Sequence, residues 1–241
     1  MTQPHENGIA NRMLRSLPQA TFERILPALE PLSTVRGQIL CREDTPIEHL
    51  YFINRGLISL VKITRDGRTA QIGAVGIEGV THPNAFLTGM ENTITDIVVQ
   101  IPGTVFRIRS TTLRHEMEKD DALHEMMLKY ARFALSQLAQ NAACNRLHSI
   151  KERCCRLLLK AHDSAVEKTF PLTHEFLAMM LGVQRGGISL AASFLQKAEL
   201  IQYTRGRVTI TNRSGLEDEA CECYGVLRAE LENLFGAPQR G

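Results

Sequence analysis

The sequence predicts an α+β protein in three consecutive parts: an N-terminal jelly-roll-like β-roll, a long helix, and a C-terminal winged helix-turn-helix. Short β-prone runs punctuated by glycine fill residues 35–108, which is typical of a small roll or barrel. Residues 122–145 contain neither glycine nor proline and follow a helical period. Residues 171–213 combine two short amphipathic segments, a glycine between them, and two further β-prone runs.

Composition places the chain among globular proteins of ordinary size. It has 241 residues, 44% of them hydrophobic, which is enough for two domains and excludes wholesale disorder. No apolar run approaches the length of a membrane-spanning helix. The first residues carry charges without an apolar core, so we expect no secretory signal and a cytoplasmic location. In that reducing compartment the six cysteines are expected to be free thiols.

The net charge of +2 hides an uneven distribution along the chain. Residues 149–213 hold ten Lys/Arg against five Asp/Glu, a net charge of +5. Residues 214–241 hold two against six, a net charge of −4. A basic segment followed by an acidic one favours a nucleic-acid partner for the basic segment, although the charge alone is a weak signal.

The first part, residues 1–120, is expected to begin with short helices and continue as the β-roll. Apolar residues between positions 12 and 32 recur near a helical period and are interrupted by prolines. Asp66-Gly67 predicts a hairpin, because both residues tolerate a positive φ. The strand-forming runs are expected at 38–41, 49–54, 57–64, 69–75 and 94–108.

The second part, residues 121–148, is expected to be one helix of roughly 35 Å that pairs with a second copy of the chain. An apolar stripe repeats along it at alternating spacings of three and four residues, the seam of a coiled coil. The expected homodimer interface consists of Leu128, Ala131, Leu135, Leu138 and Ala142, and Asn145 continues the spacing. The alternative is that the stripe packs only on its own domain.

The third part, residues 149–213, is expected to open with a helix from Ile150 to about residue 161 and to hold a helix-turn-helix. Thr173 can cap a first helix that ends at Gly182, where a tight turn favours glycine. A second helix begins near Gln184, and the side chains that it is expected to bury are Ile188, Ala191 and Leu195. Its outward side chains are expected to be small and polar, which suits base reading in a major groove. They are Arg185, Ser189, Ala192, Ser193 and Gln196.

Two β-prone runs after the second helix predict a hairpin, the wing, with a basic tip. Runs 200–203 and 208–211 flank this tip, where Arg205 and Arg207 are expected to meet phosphates. Together with the local positive charge, this arrangement predicts binding to double-stranded DNA. The alternative is a helical hairpin used only for protein contacts. The acidic residues 214–241 are expected to form a C-terminal helix or tail.

The chain resembles the Crp/Fnr superfamily of transcription regulators over about residues 20–213. The resemblance rests on the order of the three parts and on Leu172-Thr173 followed by Gly182-Val183-Gln184-Arg185. It implies that the β-roll is a sensor domain, that the protein is a homodimer, and that double-stranded DNA and RNA polymerase are its partners. By this match Thr173 and His174 lie at backbone phosphates, and Arg185 reads a guanine, a contact that geometry also favours.

Three positions depart from the pattern of that family. Gly186 and Gly187 stand where the family usually carries a glutamate or similar polar residue, and Leu190 replaces an arginine of the cyclic-AMP-responsive members. The family's usual operator therefore does not carry over. We interpret the two glycines as allowing close approach to DNA, since each costs about 1 kcal/mol in a helix relative to alanine. The expected DNA-contacting residues are Thr173, His174, Gln184, Arg185, Ser189, Arg205 and Arg207.

The sensor part is not expected to bind cyclic AMP. The resemblance implies an arginine at the nucleotide's phosphate, but residues 69–106 contain no lysine or arginine. A buried phosphate without a cation is very unfavourable. The pocket is therefore expected to be vestigial or specific for a less anionic ligand, and the effector stays unidentified. The alternatives are a regulator that does bind a cyclic nucleotide, or one that binds haem through His49, His82 or His115.

No cofactor, metal site or catalytic site is expected. Cys41 is the only cysteine in the first 143 residues, whereas an iron–sulfur sensor needs a set of four. Cys221-Glu222-Cys223 supplies two thiols, which make half a metal site. Cys144 and His148 share a helix face but do not suffice for thiol catalysis, and no common catalytic or nucleotide-binding motif occurs. Besides a DNA-binding regulator, a ligand-binding module that signals only through protein contacts stays open.

Overall fold

The computed structural model describes residues 8–85, 92–165 and 168–236. The described part begins with two short helices, α1 (Arg12–Ser16) and α2 (Gln19–Ile25), followed by a 3₁₀ turn at Leu26–Ala28. The helices bury apolar side chains because these recur on one face, and Leu14 and Phe22 are among them.

Among the described residues, seven strands follow and form two antiparallel sheets. They are β1 (Glu30–Ser33), β2 (Ile39–Cys41), β3 (His49–Ile53), β4 (Leu57–Ile63), β5 (Thr69–Val75), β6 (Asp96–Ile101) and β7 (Thr104–Arg109). One sheet has the order β1-β7-β3 and the other β2-β6-β4-β5. Apolar side chains from both sheets, such as Ile53 and Val99, share one buried cluster. This arrangement is the β-roll that the glycine-punctuated runs predict.

The β4–β5 hairpin forms where the sequence predicts it, and one expected strand is divided. Gly67 adopts a φ of 81° at the turn. On either side of the turn, the Thr64 N–H donates a hydrogen bond of 2.8 Å to the Arg68 carbonyl. The single strand expected over residues 94–108 is wrong. The chain reverses at Pro102-Gly103 between β6 and β7, where proline offers no N–H for the sheet.

Two helices lead out of the roll, α3 (Ser110–Lys119) and α4 (Asp121–Leu147). Asp120 caps α4, because its carboxylate accepts the N–H groups of Ala122 and Leu123 at 2.9 and 3.1 Å. With 27 residues, α4 is roughly 40 Å long. It contacts the roll along most of this length, as far as Asn141, whose side chain donates to the Ile72 carbonyl at 2.9 Å.

The apolar stripe expected as a dimer interface on α4 is rotated in the structure. Ala131 is only 1% exposed, beside Met127 and Tyr130, which are also buried. Leu138 is half-buried against Gly73 of β5. The stripe that faces solvent has spacings that alternate between four and three residues. It consists of Leu128, Arg132, Leu135, Ala139 and Ala142. Ala131 therefore packs within the protomer, and Leu138 lies at the edge of the same contact, because α4 packs on the roll with the neighbouring face.

The next helices and strands form a compact unit after α4. They are α5 (Ile150–Ala165), β8 (Thr169–Pro171), α6 (His174–Leu181), α7 (Arg185–Lys197), β9 (Ile201–Thr204) and β10 (Arg207–Ile210). The strands pair in the order β8-β10-β9. One apolar core joins the helices to this sheet, and Leu158, Phe170, Leu195 and Val208 are among its fully buried members.

The C-terminal segment folds back onto the first half of the chain. It contains α8 (Arg213–Asp218) and α9 (Cys223–Phe235). Ser136 of α4 donates a 2.8 Å hydrogen bond to Glu230, and the Arg12 guanidinium donates to the Leu231 carbonyl at 3.3 Å. The acidic segment is therefore mostly a helix that packs on α4 and α1.

The roll and the C-terminal unit contact each other directly. Helix α6 lies against β5, and Glu78, just after β5, accepts hydrogen bonds from Lys160 at 2.5 Å and from the Gly76 N–H at 2.9 Å. Burial would raise the pKa of Glu78, but Lys160 and the Gly76 N–H outweigh it, so the pKa is lowered. Within the described ranges, we find no helix long and apolar enough to cross a membrane.

The close approach of Gly79 to α4 predicts a specific stability defect. A Cβ at Gly79 would overlap the hydroxyl and ring of the buried Tyr130, so Gly79→Ala is expected to destabilise by about 1–3 kcal/mol. Gly225→Ala in α9 is the matched control, because a Cβ there meets nothing within 4 Å. It should be neutral or slightly stabilising through helix propensity. Urea unfolding followed by circular dichroism measures both, and equal stabilities for the two variants would contradict the packing.

Candidate DNA interface

The helix-turn-helix is set by local sequence signals. The Thr173 hydroxyl caps α6 by accepting the Phe176 N–H at 3.3 Å. Gly182 ends the helix in the left-handed region, at φ 62° and ψ 38°. Ile188 and Leu195 are fully buried and fix α7 on the core. The expected start, turn and buried face of this motif are confirmed.

The exposed face of α7 is more apolar than the sequence interpretation held. Arg185, Ser189 and Ser193 are exposed as expected, but Ala192 is 2% exposed and belongs to the core side. Leu190 and Phe194 are 76% and 45% exposed. Counting by the helical period from the buried Ile188 would have placed both on the outer face. Apolar side chains at such positions suit contact with thymine methyl groups.

Gln184 and Gln196, the two glutamines of this segment, have different roles. Gln184 is the exposed N-cap residue of α7 and makes no capping hydrogen bond. Gln196, expected to face outward, accepts the Tyr203 N–H at 3.0 Å and so connects α7 to the wing. Gln184 is therefore exposed at the surface of the motif, whereas Gln196 is part of the contact between α7 and the wing.

Arg185 at the start of α7 is held by a surface ion pair. Its guanidinium lies 3.0 Å from the Glu175 carboxylate, and both side chains are about two-thirds exposed. A pair so exposed contributes little, roughly 0–1 kcal/mol, because water screens it. Arg185 can therefore leave Glu175 for an external acceptor at small cost.

His174 is neutral and oriented by its neighbours. Its Nδ1 lies 3.2 Å from the Ser189 hydroxyl, and its ring centroid lies 4.5 Å from that of Tyr203. Burial, and then the charge of Arg185, lower the pKa of His174. At neutral pH the imidazole therefore carries no positive charge, and its Nε2 is buried without a hydrogen-bond partner among the described residues.

The wing is a tight β-hairpin with arginines at its tip. Arg205 and Gly206 both adopt positive φ, 48° and 76°, as two-residue hairpin turns require. Arg205 is exposed, and Arg207 is exposed while donating to the Thr169 carbonyl at 3.2 Å. The hairpin strands are confirmed.

One cation beside this surface comes from the roll and was missed by sequence reasoning. Arg36, between β1 and β2, donates a hydrogen bond of 3.2 Å to the Thr173 hydroxyl. Its guanidinium also lies 5.4 Å from the Phe176 ring centroid. Arg36 and Thr173 are 137 positions apart, so only the tertiary fold brings them together.

The two glycines of α7 have different surroundings. A Cβ at Gly187 would meet the Ile150 side chain at 2.9 Å, whereas a Cβ at Gly186 would meet nothing within 4 Å. Packing within the chain therefore accounts for Gly187. No neighbour accounts for Gly186, which is exposed on the outer face of the helix.

The interior of the roll offers no cation among its described residues. Three of its polar side chains pair with one another: the Ser59 hydroxyl donates to Gln100 at 2.7 Å, and Gln71 donates to Ser59 at 3.0 Å. The Nε2 atoms of Gln100 and His82 are buried without a partner in the part of the chain that the structure describes. His82 is buried, and burial lowers its pKa to about 4. His82 is therefore uncharged at neutral pH and is no substitute for an arginine.

A cavity of about 830 Å³ lies outside the apolar cluster of the roll, lined by residues of β5, α4, α5 and α9. Gln71, Gln137 and Asn141 present amide groups to it. Each described cation of its lining is already bonded to an oxygen of the chain. These cations are Arg12, Arg156, Lys160, Arg213 and Arg228.

Two family models match this chain. The cyclic nucleotide-binding domain matches residues 32–120, and the Crp-like helix-turn-helix domain matches residues 152–219. Together they cover more than half of the chain, which therefore belongs to the Crp/Fnr superfamily of transcription regulators. Regulators with this pair of domains bind DNA and act as dimers, and they are not enzymes.

Solved structures with the same fold are distant in sequence. FixK2 from Bradyrhizobium japonicum is 17% identical, with a TM-score of 0.68 over 80% of this chain and 98% of its own. A transcriptional regulator of the CRP family from Thermus thermophilus is 18% identical with a TM-score of 0.63 over 78% and 96%. The c-di-GMP-responsive regulator CLP of Xanthomonas campestris is 15% identical with a TM-score of 0.60 over 80% and 99%. No curated protein matches the chain in a sequence search.

Proposed function

We propose that the chain is a homodimeric regulator that reads a roughly palindromic DNA site with α7. The observation that carries this proposal is the N-terminus of α6, which connects the parts of one continuous surface. Thr173 packs on the wing, where a Cβ at Gly206 would lie 3.2 Å from its methyl group. His174 contacts Ser189 of α7, and the next residue, Glu175, pairs with Arg185.

Each expected contact residue then has a defined role on this surface. Arg185 and Ser189 face base edges from the first turns of α7, with Gln184 beside them. Thr173 donates a hydrogen bond to a phosphate beside neutral His174, and Arg205 and Arg207 of the wing add positive charge there. Arg36 of the roll extends the same cationic edge. RNA polymerase is the second partner that we propose for such a regulator, and the cytoplasm its location.

The two-fold interface that we propose is the solvent-facing stripe of α4. Leu128 and Leu135 are 39% and 56% exposed, and Ala139 and Ala142 continue the same face. Large apolar side chains repeating along an exposed helix are costly in water and are buried when two copies pair. Arg132 lies between the two leucines, where its stem can cover apolar surface.

Replacing the base-reading arginine should change specificity. Arg185→Ala is expected to weaken binding to the operator by about 1–3 kcal/mol and to relax preference at one base pair per half-site. Arg205→Ala should weaken all duplexes alike and reduce the salt dependence. Arg65→Ala, an exposed arginine near the β4–β5 turn, should change neither.

Operators selected from a random library, followed by fluorescence anisotropy at several salt concentrations, measure these effects. If Arg185→Ala kept the wild-type ratio of operator to random-duplex affinity, its role in base reading would be wrong.

A charge in the middle of the α4 stripe should separate the protomers. Leu135→Glu would place two carboxylates against each other in an apolar seam, so monomers are expected. Ile63→Glu, at a similarly exposed apolar residue of β4 (45% exposed), should leave the dimer intact. Sedimentation velocity at micromolar concentration distinguishes the two variants. A wild-type monomer under these conditions would reject the interface.

The effector that we propose for the sensor is a less anionic ligand than a cyclic nucleotide. The described interior of the roll holds no cation, because His82 is neutral at pH 7. A phosphodiester there would lose its hydration without a guanidinium partner. The cavity beside β5 is lined by amides and by cations that already bond to oxygens of the chain, which favours a polar ligand of low charge.

Calorimetry should therefore show no binding of cyclic AMP or cyclic GMP tighter than about 1 mM. Titration of the operator duplex into the same preparation is the control for folded, active dimer. A micromolar dissociation constant for cyclic AMP, together with stronger DNA binding in its presence, would overturn this proposal about the sensor.

A further inference from the structure

Four potential metal ligands from two distant segments meet at the end of α4. Cys144 and His148 lie one helical turn apart, at the last turn of α4 and at its C-cap. Cys221 lies between α8 and α9, and Cys223 is the first residue of α9, more than 70 positions later. One ligand atom from each of the four residues falls within 4.8 Å of all the others. Cys221 and Cys223, which supply only two ligands in the sequence, are thus joined in the fold by Cys144 and His148.

The spacing of these atoms matches a four-coordinate ion. The sulfur atoms of Cys144 and Cys221 are 3.5 Å apart, and Cys223 Sγ is 3.5 Å from His148 Nδ1. A tetrahedron with Zn–S bonds of about 2.3 Å has sulfur–sulfur edges of about 3.8 Å. Only small side-chain movements would place all four atoms at bonding distance from one centre.

The groups around the cluster are those that support metal ligands. The Nε2 of His148 lies 3.1 Å from the Glu222 carboxylate, which leaves Nδ1 to face the thiols and fixes the tautomer. The Gln140 side chain donates a 3.0 Å hydrogen bond to Cys223 Sγ. The three sulfur atoms are buried in one cluster. Such surroundings orient the ligands and stabilise thiolates away from water.

We propose that Cys144, His148, Cys221 and Cys223 form a structural zinc site. Three thiolates and one imidazole are a common ligand set of closed zinc sites, and the protein fills all four positions, so none is open for chemistry. An iron–sulfur cluster needs four thiolates in its usual form and does not fit three. The site is separate from the DNA-binding surface and from the cavity beside β5.

The zinc would join the two ends of the DNA-binding unit. Cys144 and His148 precede α5, and Cys221 and Cys223 follow α8, so everything between them becomes a closed loop. Binding free energy at such a site contributes directly to folding. The metal thereby holds the start of α9 against α4.

The metal content of the purified full-length dimer tests this assignment. Protein prepared with a phosphine reductant and without chelator should contain about one zinc ion per protomer, as measured by inductively coupled plasma mass spectrometry. After removal of zinc, added Co²⁺ should produce the visible absorption of tetrahedral thiolate coordination. Cys223→Ser and Cys144→Ser should lose both signals, whereas Cys154→Ala, a buried cysteine outside the cluster, should keep both.

A positioning variant tests the site without removing a ligand. Glu222→Gln should keep the stoichiometry but lower zinc affinity by about 10- to 100-fold, because the carboxylate orients His148. Competition with a chromophoric chelator measures this change. Glu219→Gln is the control, since Glu219 pairs with Lys151 in the same segment and should leave zinc affinity unchanged.

Three results would overturn the proposal. They are wild-type dimer that takes up neither zinc nor Co²⁺, metal content unchanged in both cysteine variants, and a Cys144–Cys221 disulfide or an iron chromophore in place of zinc. If a cysteine variant fails to fold by circular dichroism, the Co²⁺ titration of wild type and the Glu222→Gln affinity still decide the question.

Discussion

The buried ion pair between Glu78 and Lys160 is the contact on which the arrangement of the two halves depends. The Glu78 side chain is 4% exposed, and a carboxylate so buried requires a cation. Breaking a buried pair by removing one partner costs about 3–5 kcal/mol. Because the pair lowers the pKa of Glu78, its stabilisation is present above the unfolded-state pKa and is lost as the pH falls through the folded one. The end of β5 therefore holds α5, and with it the DNA-binding unit, against the roll.

The features that the sequence predicts best are those decided within a few residues. Thr173 as cap and Gly182 in the left-handed turn fix the helix-turn-helix, and Asp66-Gly67 fixes a hairpin, since each signal acts locally. The contact of Arg36 with Thr173 and the meeting of Cys144 with Cys221 could not be predicted this way. Both join segments far apart in the chain, and neither leaves a periodic pattern in the sequence.

The rotated stripe of α4 shows a different limit of sequence reasoning. Both Leu128–Ala131–Leu135 and Leu128–Arg132–Leu135 follow alternating spacings, and the apolar residues alone favour the first. The roll decides between them, because α4 also needs an apolar face for its own domain and Ala131 lies on it. An arginine on the outward stripe then marks the face left to solvent. Because α4 has one apolar face for its own roll and a second for the proposed dimer contact, its apolar residues alone do not identify either face.

The geometry of DNA reading depends on the short junction between α4 and α5. Helix α4 ends at Leu147 and α5 begins at Ile150, so two residues set the angle between the proposed dimer axis and α7. Arg153 spans this junction: its guanidinium donates to Asn145 of α4 at 2.8 Å and to the Leu181 carbonyl at the end of α6. Because half-site spacing follows from the positions of the two recognition helices, bonds far from the DNA determine which operator length fits. His148, one of these two residues, lies against Glu222 and Cys223, so the C-terminal segment also holds the junction that sets the angle.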